Sequence, residues 1–377
     1  MSEPARSSPA GRPSGATVGG RVPTDPSVSV CILVLDHTRL VARCLEALRR
    51  GGGCPPATEL IVVANGTPRE QLAALGDADD LVVLASQVNL GFAGGCNLAA
   101  SVARGRSLVF LNDDSTVEPG CIDALVAAAS APGVGAVGSR ILDPDGTLQE
   151  AGSVVWRDGS GAHVGIGLPP GDPSYAAARD VDYASANGLL VTREAWEAVG
   201  GFDPAYYPAY FEDVDLCLAL QAHGYRVRYE PGARIVHQGS QSTSEPFRGF
   251  LLARNRQRLV ARWGGSLDRF DPRPAAGSGP AFDAAVARAV ARAAVAGGRP
   301  RPVPTGPSDP AGAPIRGGTF DAGAADRELR RDYLAYLERT VTESAERVRV
   351  LEAYVARRWS VRLRRWGWKR SGFLRRS

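Results

Sequence analysis

The sequence predicts an α/β fold with a mostly parallel β-sheet covered by helices on both faces. Short apolar, β-branched runs alternate with amphipathic segments through the first 140 residues. Several of these runs are apolar throughout, which is typical of parallel strands buried on both faces. Polar residues follow three of the runs, where parallel strands would end. We therefore expect a ligand crevice beyond the carboxyl ends of these strands.

The first half of the chain contains the clearest elements. Residues 28–35 form a continuous apolar, β-rich run, and apolar residues at helical spacing follow it. Two later runs stop at turn-forming polar residues, Asn65-Gly66 and Asn112-Asp113-Asp114. The predicted strands are 28–35, 59–64, 81–84, 107–111 and 134–137. The predicted helices are the segment with Leu40, Cys44, Leu45 and Leu48 on one face, and residues 92–104 and 119–130.

The second half is less regular. Residues 141–185 are rich in Gly and Pro with short strands, and residues 271–322 have the Pro, Gly and Ala content of a linker. Periodicity predicts strands over 189–191 and 226–229, and helices over 194–199, 245–263, 281–296 and 325–365. We expect four parts: a disordered segment over 1–26, a main α/β domain over 27–263, a linker with a short helix over 264–323, and a helical, basic extension over 324–377.

Composition excludes several kinds of site. The 377 residues are 44% hydrophobic and 22% charged, as in globular proteins. Lys369 is the only lysine, which excludes a Walker-type phosphate loop and a lysine Schiff base in the body of the chain. The six cysteines include no C-x-x-C pair, so neither a zinc ribbon nor a thioredoxin-like site is indicated. Reduced thiols favour a cytoplasmic location.

The C-terminal extension carries the chain's excess of positive over negative charge. The formal net charge is +4, and residues 357–377 hold nine Arg and Lys residues, no acid, and Trp359, Trp366 and Trp368. Helices rich in Arg and Trp bind anionic membrane surfaces, although nucleic acid attracts the same charge. Because no nucleic-acid motif accompanies it, we favour peripheral membrane or partner contact, with a solvated tail as the alternative. Upstream, an apolar stripe has partial heptad spacing: Leu334, Leu337, Val341, Val348, Leu351 and Val355.

No segment indicates export or membrane insertion. No apolar run approaches the ~18–20 residues of a membrane span, and residues 1–26 lack the apolar centre of a secretory signal. We therefore expect a cytoplasmic protein, with possible peripheral attachment at the inner face of the cell membrane.

Three carboxylates crowd together at Glu212, Asp213 and Asp215, just after Tyr206, Tyr207, Tyr210 and Phe211. Acids among aromatic residues repel one another and resist desolvation, so folding alone rarely selects them. They can open a helix, since acids in a first turn are stabilised by the helix dipole. That explanation suits one of the three. A carboxylate in a cleft is also a suitable general base for a hydroxyl group.

Other polar residues have two interpretations each. Asn112-Asp113-Asp114 can hold Mg²⁺ or Mn²⁺, or can form an Asx turn. The segment Asn89-Leu-Gly-Phe-Ala-Gly-Gly-Cys-Asn97 opens a predicted helix, so it can bind phosphate or be a plain loop-to-helix junction. His237 follows a short apolar run and can be a metal ligand or an ordinary core histidine.

The ordered set of motifs resembles the inverting family 2 glycosyltransferases with a GT-A fold, and especially the bacterial rhamnosyltransferase-like branch. The resemblance covers about residues 28–263. It rests on the order and spacing of seven stretches: Leu60–Thr67, Asn89–Asn97, Phe110–Asp114, Val199–Asp203, Tyr210–Cys217, Gly224–Val227 and His237.

The resemblance implies an enzyme that transfers a sugar from a nucleotide-diphosphate donor to an acceptor hydroxyl on a glycan, a lipid-linked molecule or another compound. By position, Asp213 matches the family's catalytic base, and Glu212 and Asp215 support it. Asp114 and His237 match the ligands of a divalent cation, Mg²⁺ or Mn²⁺, that neutralises the leaving diphosphate. The resemblance implies that the donor contacts these residues: Asp36, Asn65, Asn89, Gly94, Gly95, Asn97, Asn112 and Asp113.

Two positions depart from the family pattern. Asn112 replaces the first Asp of the D-x-D metal motif, and Ala64 stands where the family usually has an Asp near the nucleobase. Asp36 stands where Asn is common, and it can supply a base or ribose contact instead. These departures support a competing hypothesis, a catalytically silent binding or scaffold protein. A nucleotidyltransferase is a further alternative, although the first 140 residues lack a basic glycine-rich loop for a triphosphate.

Overall fold

A computed structural model describes residues 17–35, 38–50, 52–67, 75, 79–239, 244–275, 279–296 and 320–371, with the backbone alone for residues 38–39, 245, 294–296, 345 and 350–371. The chain divides into two compact units, residues 1–323 and 324–377. This division falls where the sequence predicts the end of the linker.

The first unit contains the strands. They are β1 (Thr17–Val18), β2 (Val28–Val34), β3 (Thr58–Asn65), β4 (Leu81–Ser86), β5 (Ser107–Asn112), β6 (Ser115–Val117), β7 (Val134–Leu142), β8 (Leu148–Ala151), β9 (Ser153–Val155), β10 (Gly161–His163), β11 (Arg179–Asp180), β12 (Leu189–Thr192) and β13 (Arg226–His237).

Helices cover both faces of the sheet. The described helices are α1 (Thr38–Arg49), α2 (Gly91–Val102), α3 (Cys121–Ala129), α4 (Arg193–Val199), α5 (Glu212–Ala222), α6 (Glu245–Trp263), α7 (Pro280–Ala296) and α8 (Ala322–Ser371), the last of which continues into the second unit. Short 3₁₀ helices lie at Pro173–Tyr175, Pro204–Tyr206 and Gly264–Arg269.

The main sheet is mixed and mostly parallel at its centre. Its strand order is β1-β4-β3-β2-β5-β12-β7-β13-β11, with β6 paired to β13 and β8 paired to β7. Strands β4, β3, β2 and β5 are parallel, β13 is parallel to β7, and β12 runs antiparallel between β5 and β7. The chain winds outward from β2 to β4 and then returns to β5 on the other side of β2. Such a switch point opens a crevice at the carboxyl ends of the strands.

Two large cores hold the layers together. One lies between the sheet and a helix layer that includes α2, α4 and α5, and it contains Phe110, Trp196 and Phe202. The other lies under α1 and α3 and is mainly aliphatic. The three aromatic rings of the first core meet at centroid distances of 5.0 to 5.4 Å. Both faces of the central strands are therefore buried, which explains their uninterrupted apolar runs.

The sequence predicted the elements well and missed some extensions. Strand β13 continues eight residues past the predicted 226–229, through Pro231 and Gly232. Its register against β7 shifts between Glu230 and Arg234, so the strand accommodates these two residues in a bulge. Within the segment predicted as disordered, Thr17–Val18 pairs with Val82 and Val83 of β4, while residues 1–16 lie outside the described residues.

Part of the predicted linker is packed. Ala285 and Ala289 of α7 are buried against Trp156 and Val154. Arg292 of α7 makes a bidentate ion pair with buried Asp182, at 2.9 and 2.7 Å. It also donates a hydrogen bond to Asp271. The helix was predicted, but most of its partners, such as Trp156 and Asp182, lie more than 100 residues away in the sequence and leave no local signal.

Candidate active site

The end of β5 and the start of β6 form one tight turn. The backbone N–H of Asn112 and the hydroxyl of Ser115 both donate to the side-chain oxygen of Asn187, at 3.2 and 2.7 Å. Strand β6 pairs with β13 so that Ser115 lies opposite His237. Asp113 and Asp114 lie on the turn between the strands, and both are partly buried. The fold thus brings His237 to the carboxylates, as the sequence hypothesis requires.

Asp114 and His237 are in direct contact. Asp114 Oδ1 lies 3.1 Å from His237 Nε2, and both side chains are close to 90% buried. Asp114 Oδ1 has no hydrogen-bond partner among the described residues. Asn112 Nδ2 lies 3.3 Å from the same imidazole nitrogen. The replacement of a family carboxylate by Asn112 therefore puts an amide next to the histidine.

The hydrogen-bond network fixes the tautomer of His237. Gln149 donates through Nε2 to Asp143 Oδ1 at 2.7 Å, so its Oε1 points to His237 Nδ1 at 2.6 Å. Nδ1 must then carry a proton, and the neutral imidazole presents the lone pair of Nε2 to Asp114. In this tautomer Nε2 and Asp114 Oδ1 face each other as acceptors, which suits a cation between them. An outer partner that orients the imidazole in this way is typical of metal-ligating histidines.

These residues fit part of a divalent cation site. An imidazole nitrogen and an unpartnered carboxylate oxygen are suitable donors for Mn²⁺ or Mg²⁺. No group of three or more His, Cys, Asp or Glu side chains arranged to hold a metal occurs within the described part of the chain. A cation here would have two protein ligands and would need further oxygen ligands from substrate or water, as is common for Mg²⁺ bound with phosphates.

The acid cluster opens α5. Glu212, Asp213 and Asp215 all lie in its first turn, directly after Phe211. Burial raises the pKa of Glu212 well above its ordinary value, and the nearby charge of Asp213 raises it further. Burial also raises the pKa of Asp213. The helix-capping interpretation therefore explains little, because a mere cap would keep these acids in water at low pKa.

Asp213 is held by two backbone amides. Its Oδ1 accepts from the N–H of Val214 at 2.8 Å, and its Oδ2 accepts from the N–H of Ala186 at 3.4 Å. Both hydrogen bonds lower the pKa of Asp213 against the larger effect of burial, and the charge of Glu150 raises it while that of His163 lowers it. The carboxylate thus has a fixed position and a raised pKa, which suit a general base.

Buried Glu150 and exposed His163 form a second pair, which sequence reasoning missed. Glu150 Oε2 lies 3.2 Å from His163 Nδ1, and Glu150 Oε1 accepts from the N–H of Ser185 at 3.0 Å. Ser153 Oγ donates to the same Glu150 oxygen at 2.9 Å. The Glu150 side chain is 3% exposed and that of His163 is 43% exposed. The only local signal is the turn sequence Asp143-Pro144-Asp145-Gly146 before β8, which indicates a hairpin.

One short segment joins the two halves of the site. Ser185, Ala186 and Asn187 are consecutive, and they bond to Glu150, Asp213 and the Asn112 turn respectively. Asn187 Nδ2 is buried without a partner among the described residues. The base candidate and the cation ligands thus converge on a single loop ahead of β12.

Asp215 has a different environment from Asp213. Its Oδ1 accepts from Tyr206 Oη at 3.1 Å and from Trp263 Nε1 at 2.8 Å, and its Oδ2 lies 3.0 Å from Arg262 Nη1. Burial raises the pKa of Asp215 to about 6, against the lowering effect of Arg262. Both oxygens of this carboxylate contact donors from α6 or from the aromatic loop. The contacts of Asp215 thus hold α5 in place.

The aromatic loop before α5 is strained. Tyr210 and Phe211 both have φ of 77°, a left-handed conformation that costs non-glycine residues about 1–3 kcal/mol each. Buried Asn255 of α6 donates from Nδ2 to the carbonyls of Tyr206, Ala209 and Tyr210, at 3.1, 2.9 and 2.9 Å. A single amide from α6 therefore fixes the loop that delivers Glu212 and Asp213.

Asn65 and Asn89, two of the asparagines predicted to contact the donor, tie neighbouring loops together. Asn65 Oδ1 accepts from the N–H of Leu90 at 2.7 Å, and its Nδ2 donates to Asn89 Oδ1 and to the carbonyl of Gly91, each at 3.1 Å. Asn89 Oδ1 also accepts from the N–H of Gly91 at 2.8 Å. These bonds tie the end of β3 to the start of α2.

Asn97 and the two glycines of α2 also have structural partners. Asn97 makes two hydrogen bonds to the backbone of Phe202, at 2.8 and 3.0 Å. A Cβ on Gly95 would lie 2.2 Å from Leu33 Cδ1, so this glycine lets α2 approach β2 closely. A Cβ on Gly94 would meet Leu90 at 3.0 Å and Phe320 at 3.6 Å. Asp36 lies outside the described residues.

The described helices include none that is both long and apolar enough to cross a membrane. All six cysteines are free, and five of them are buried.

Comparison with known proteins identifies the family and the fold. Residues 26–266 match the family described as Glycosyltransferase like family 2. The chain is 34% identical over 225 residues to the O-antigen biosynthesis protein RfbC of Myxococcus xanthus, covering 58% of this chain and 18% of that protein. It is 35% identical over 166 residues to the N-acetylglucosaminyl-diphospho-decaprenol L-rhamnosyltransferase of Mycobacterium tuberculosis, covering 41% of this chain and 53% of that protein. The chain thus spans about half of one relative and under a fifth of the other.

A solved structure shows the same fold. That of GalNAc-T7 with UDP, GalNAc and Mn²⁺ superposes with a TM-score of 0.51 at 16% identity, covering 65% of this chain and 49% of that one. At this identity the likeness concerns the fold alone, and it confirms the predicted GT-A architecture. Together with the match over residues 26–266, it leads to one conclusion: this chain belongs to glycosyltransferase family 2.

Proposed function

We propose that the protein transfers a sugar from a nucleoside-diphosphate donor to an acceptor hydroxyl, with inversion at the anomeric carbon. One observation carries the proposal: consecutive residues Ala186 and Asn187 hold Asp213 on one side and the Asn112 turn on the other. A base for an acceptor and a site for a diphosphate are thereby adjacent. Membership of the family supports the same reaction.

In the proposed reaction Asp213 accepts the proton of the acceptor hydroxyl. The acceptor oxygen then bonds to the anomeric carbon as the bond from that carbon to the diphosphate oxygen breaks, and the nucleoside diphosphate leaves. Asp114 and His237 would hold a divalent cation, which when bound supplies positive charge to the leaving diphosphate. Burial and the adjacent charge of Asp213 raise the pKa of Glu212 well above its ordinary value, which disfavours a second negative charge beside Asp213.

The donor screen is the direct test. Purified protein is incubated with a panel of nucleotide sugars and Mg²⁺ or Mn²⁺, with candidate acceptors, and release of nucleoside diphosphate is measured. We expect one donor class to give acceptor-dependent release. Donor binding without release under any combination would favour the second candidate, a catalytically silent binding protein, which Asn112 beside His237 supports.

We propose that the acceptor belongs to cell-surface polysaccharide synthesis and is glycan- or lipid-linked. The printed names of the two relatives, an O-antigen biosynthesis protein and a rhamnosyltransferase acting on a decaprenol-linked sugar, support this choice. Lipid-linked acceptors extracted from membranes, tested against soluble saccharides, would separate the two acceptor types.

We further propose that the protein acts at the cytoplasmic membrane face, through the basic tail over 357–377. Nine cationic residues without an acid would attract anionic lipids. In co-sedimentation with anionic vesicles, the full chain should bind, binding should weaken at high salt, and a variant with the tail arginines changed to glutamine should not bind. Equal, negligible binding of both proteins would reject the proposal, and neutral vesicles serve as the control.

A further inference from the structure

Helix α8 carries an exposed apolar stripe. Leu334, Val341 and Val348 are 61%, 67% and 52% exposed, and they lie seven residues apart. From Glu338 to Arg349, every described side chain of this helix is exposed. Residues spaced by seven lie on one side of a helix, so the three side chains form one continuous strip. Large apolar side chains in such a row on an otherwise charged helix indicate a surface that is covered by a partner.

The spacing is that of a two-stranded coiled coil. With Leu334 at position a of a heptad, the sequence places Val341, Val348 and Val355 at the following a positions. The d positions are Leu337, Ser344 and Leu351. β-Branched residues at a combined with Leu at d favour two parallel strands. The backbone of α8 is helical throughout this range, so the register is not interrupted.

Charge selects a second copy in the parallel direction. In this heptad Arg347 is at a g position, and Glu338 and Glu352 are at e positions. In a parallel pair each g residue meets the partner's e residue five positions further along, so Arg347 pairs with Glu352 of the second copy. In an antiparallel pair the e positions face each other instead, which would bring together the like charges of Glu338 and Glu352. The helix is therefore complementary to itself in one orientation.

We propose that a second copy of this chain covers the stripe and that the two copies form a parallel two-stranded coiled coil over residues 334–355. Three heptads and a polar Ser344 in the middle of the seam make this a modest interface, so dimerisation is reversible and depends on protein concentration. The dimer places two basic tails side by side. The proposal is independent of the catalytic one, because no residue of the stripe belongs to the candidate active site.

Sedimentation velocity on the full chain tests the dimer. The wild type should shift from monomer to dimer as concentration rises. Val341→Glu combined with Val348→Glu should remain monomeric, and Thr342→Glu, which puts the same charge on a neighbouring exposed position outside the seam, should dimerise like the wild type. At a concentration where the wild type is monomeric, thermal unfolding of all variants should be unchanged, because the affected side chains are exposed. A monomeric wild type, or a double variant that dimerises equally, would overturn the proposal.

A cross-link tests the orientation. Ser344→Cys places a thiol in the seam, opposite the same residue of a parallel partner, so mild oxidation should give a covalent dimer on non-reducing gels. Thr342→Cys, one helical position outside the seam, is the matched control, and the unsubstituted protein accounts for the native cysteines. Arg347→Glu should weaken dimerisation, and adding Glu352→Arg should restore it. Absence of the Ser344→Cys cross-link, or of the charge rescue, would overturn the parallel arrangement.

Discussion

Asp213 and Asp215 lie two positions apart on α5 but have opposite surroundings. Asp213 is held by two backbone amides beside Glu150 and His163, whereas Asp215 is enclosed by Tyr206, Trp263 and Arg262. The first retains a carboxylate that can take up a proton from a substrate. The second has its oxygens committed to neighbouring elements. We therefore propose that Asp213 has the chemical role and that Asp215 has a structural one.

The acid limb of the pH–rate profile should report Asp213. Only the ionised carboxylate can accept a proton. Because burial raises the pKa of Asp213, kcat/KM should begin to fall at a pH well above ~4, the pKa of an ordinary carboxyl group. Glu150→Gln removes a charge that raises this pKa and should move the limb to lower pH. His163→Gln removes a charge that lowers it and should move the limb to higher pH. Shifts in the same direction would contradict the assignment.

Asp215→Ala should chiefly reduce stability. It leaves Arg262, Tyr206 and Trp263 without their shared buried acceptor, which should cost about 3–5 kcal/mol in the free energy of unfolding. Urea titration measures this cost. The exposed first-turn variant Asp123→Ala of α3 is the control and should unfold like the wild type. An equally stable Asp215→Ala protein would contradict the structural role.

Asp215 also gives stability a pH dependence of known sign. Its pKa is about 6 in the folded state and about 3.9 when unfolded, so the folded protein binds the proton more tightly. The stabilising contribution of the Asp215 carboxyl to the free energy of unfolding is therefore fully present below pH ~3.9 and is lost as the pH rises through about 6. Urea titrations of Asp215→Asn should show that the free energy of unfolding no longer has this decrease between those two pH values.

At the scale of elements, α6 holds the start of α5. Asn255 reaches from α6 to three carbonyls of the strained loop, and Arg254 donates to a fourth, that of Tyr207, at 2.9 Å. The left-handed residues Tyr210 and Phe211 persist because these bonds over-determine the loop. The position of Asp213 thus depends on a helix that makes no contact with substrate in the proposed reaction.

Asn255→Ala should therefore affect both stability and rate. Three buried carbonyls lose their donor, which should cost about 1–3 kcal/mol. Turnover should fall because the first turn of α5 loosens, while donor binding on the other side of the site should change little. Gln257→Ala on the exposed face of the same helix is the control. Loss of stability with unchanged kcat would show that the loop does not position the base.

The sequence was informative about elements and less so about contacts. Strand and helix assignments followed from periodicity, because buried parallel strands and amphipathic helices have clear patterns. The roles of Asn65 and Asn97 could not be read in the same way. Asn97 bonds to Phe202, 105 residues away, so only the fold reveals that it closes a loop. Glu150 and His163 were missed because residues 141–185 look like irregular loop.

At the scale of the whole molecule, the candidate site is assembled from distant parts of the chain. The turn after β5, the loop before β12, the start of α5 and the end of β13 all meet where antiparallel β12 is inserted between β5 and β7. No single stretch of sequence contains the site. The ordered resemblance over 28–263 was informative because it sampled all of these parts together.

Ligand binding should stabilise the whole fold through the cation site. With Mn²⁺ and a nucleoside diphosphate at about 100 times Kd, the free energy of unfolding should rise by about 2.7 kcal/mol, which is measured as a higher melting temperature. Asp114→Asn should reduce this gain, because it removes the carboxylate beside His237. Asp123→Asn should retain it. If Mn²⁺ adds nothing to the effect of the nucleotide in the wild type, the cation assignment is wrong.

The central claim is that Asp213 is the catalytic base, and one comparison tests it most directly. Acceptor-dependent release of nucleoside diphosphate is measured for wild type, Asp213→Asn and Asp123→Asn, alongside donor binding by thermal shift. We predict that Asp213→Asn loses about 10²–10⁴-fold in kcat with donor binding retained, and that Asp123→Asn matches the wild type. Wild-type turnover in folded, donor-binding Asp213→Asn would contradict the account.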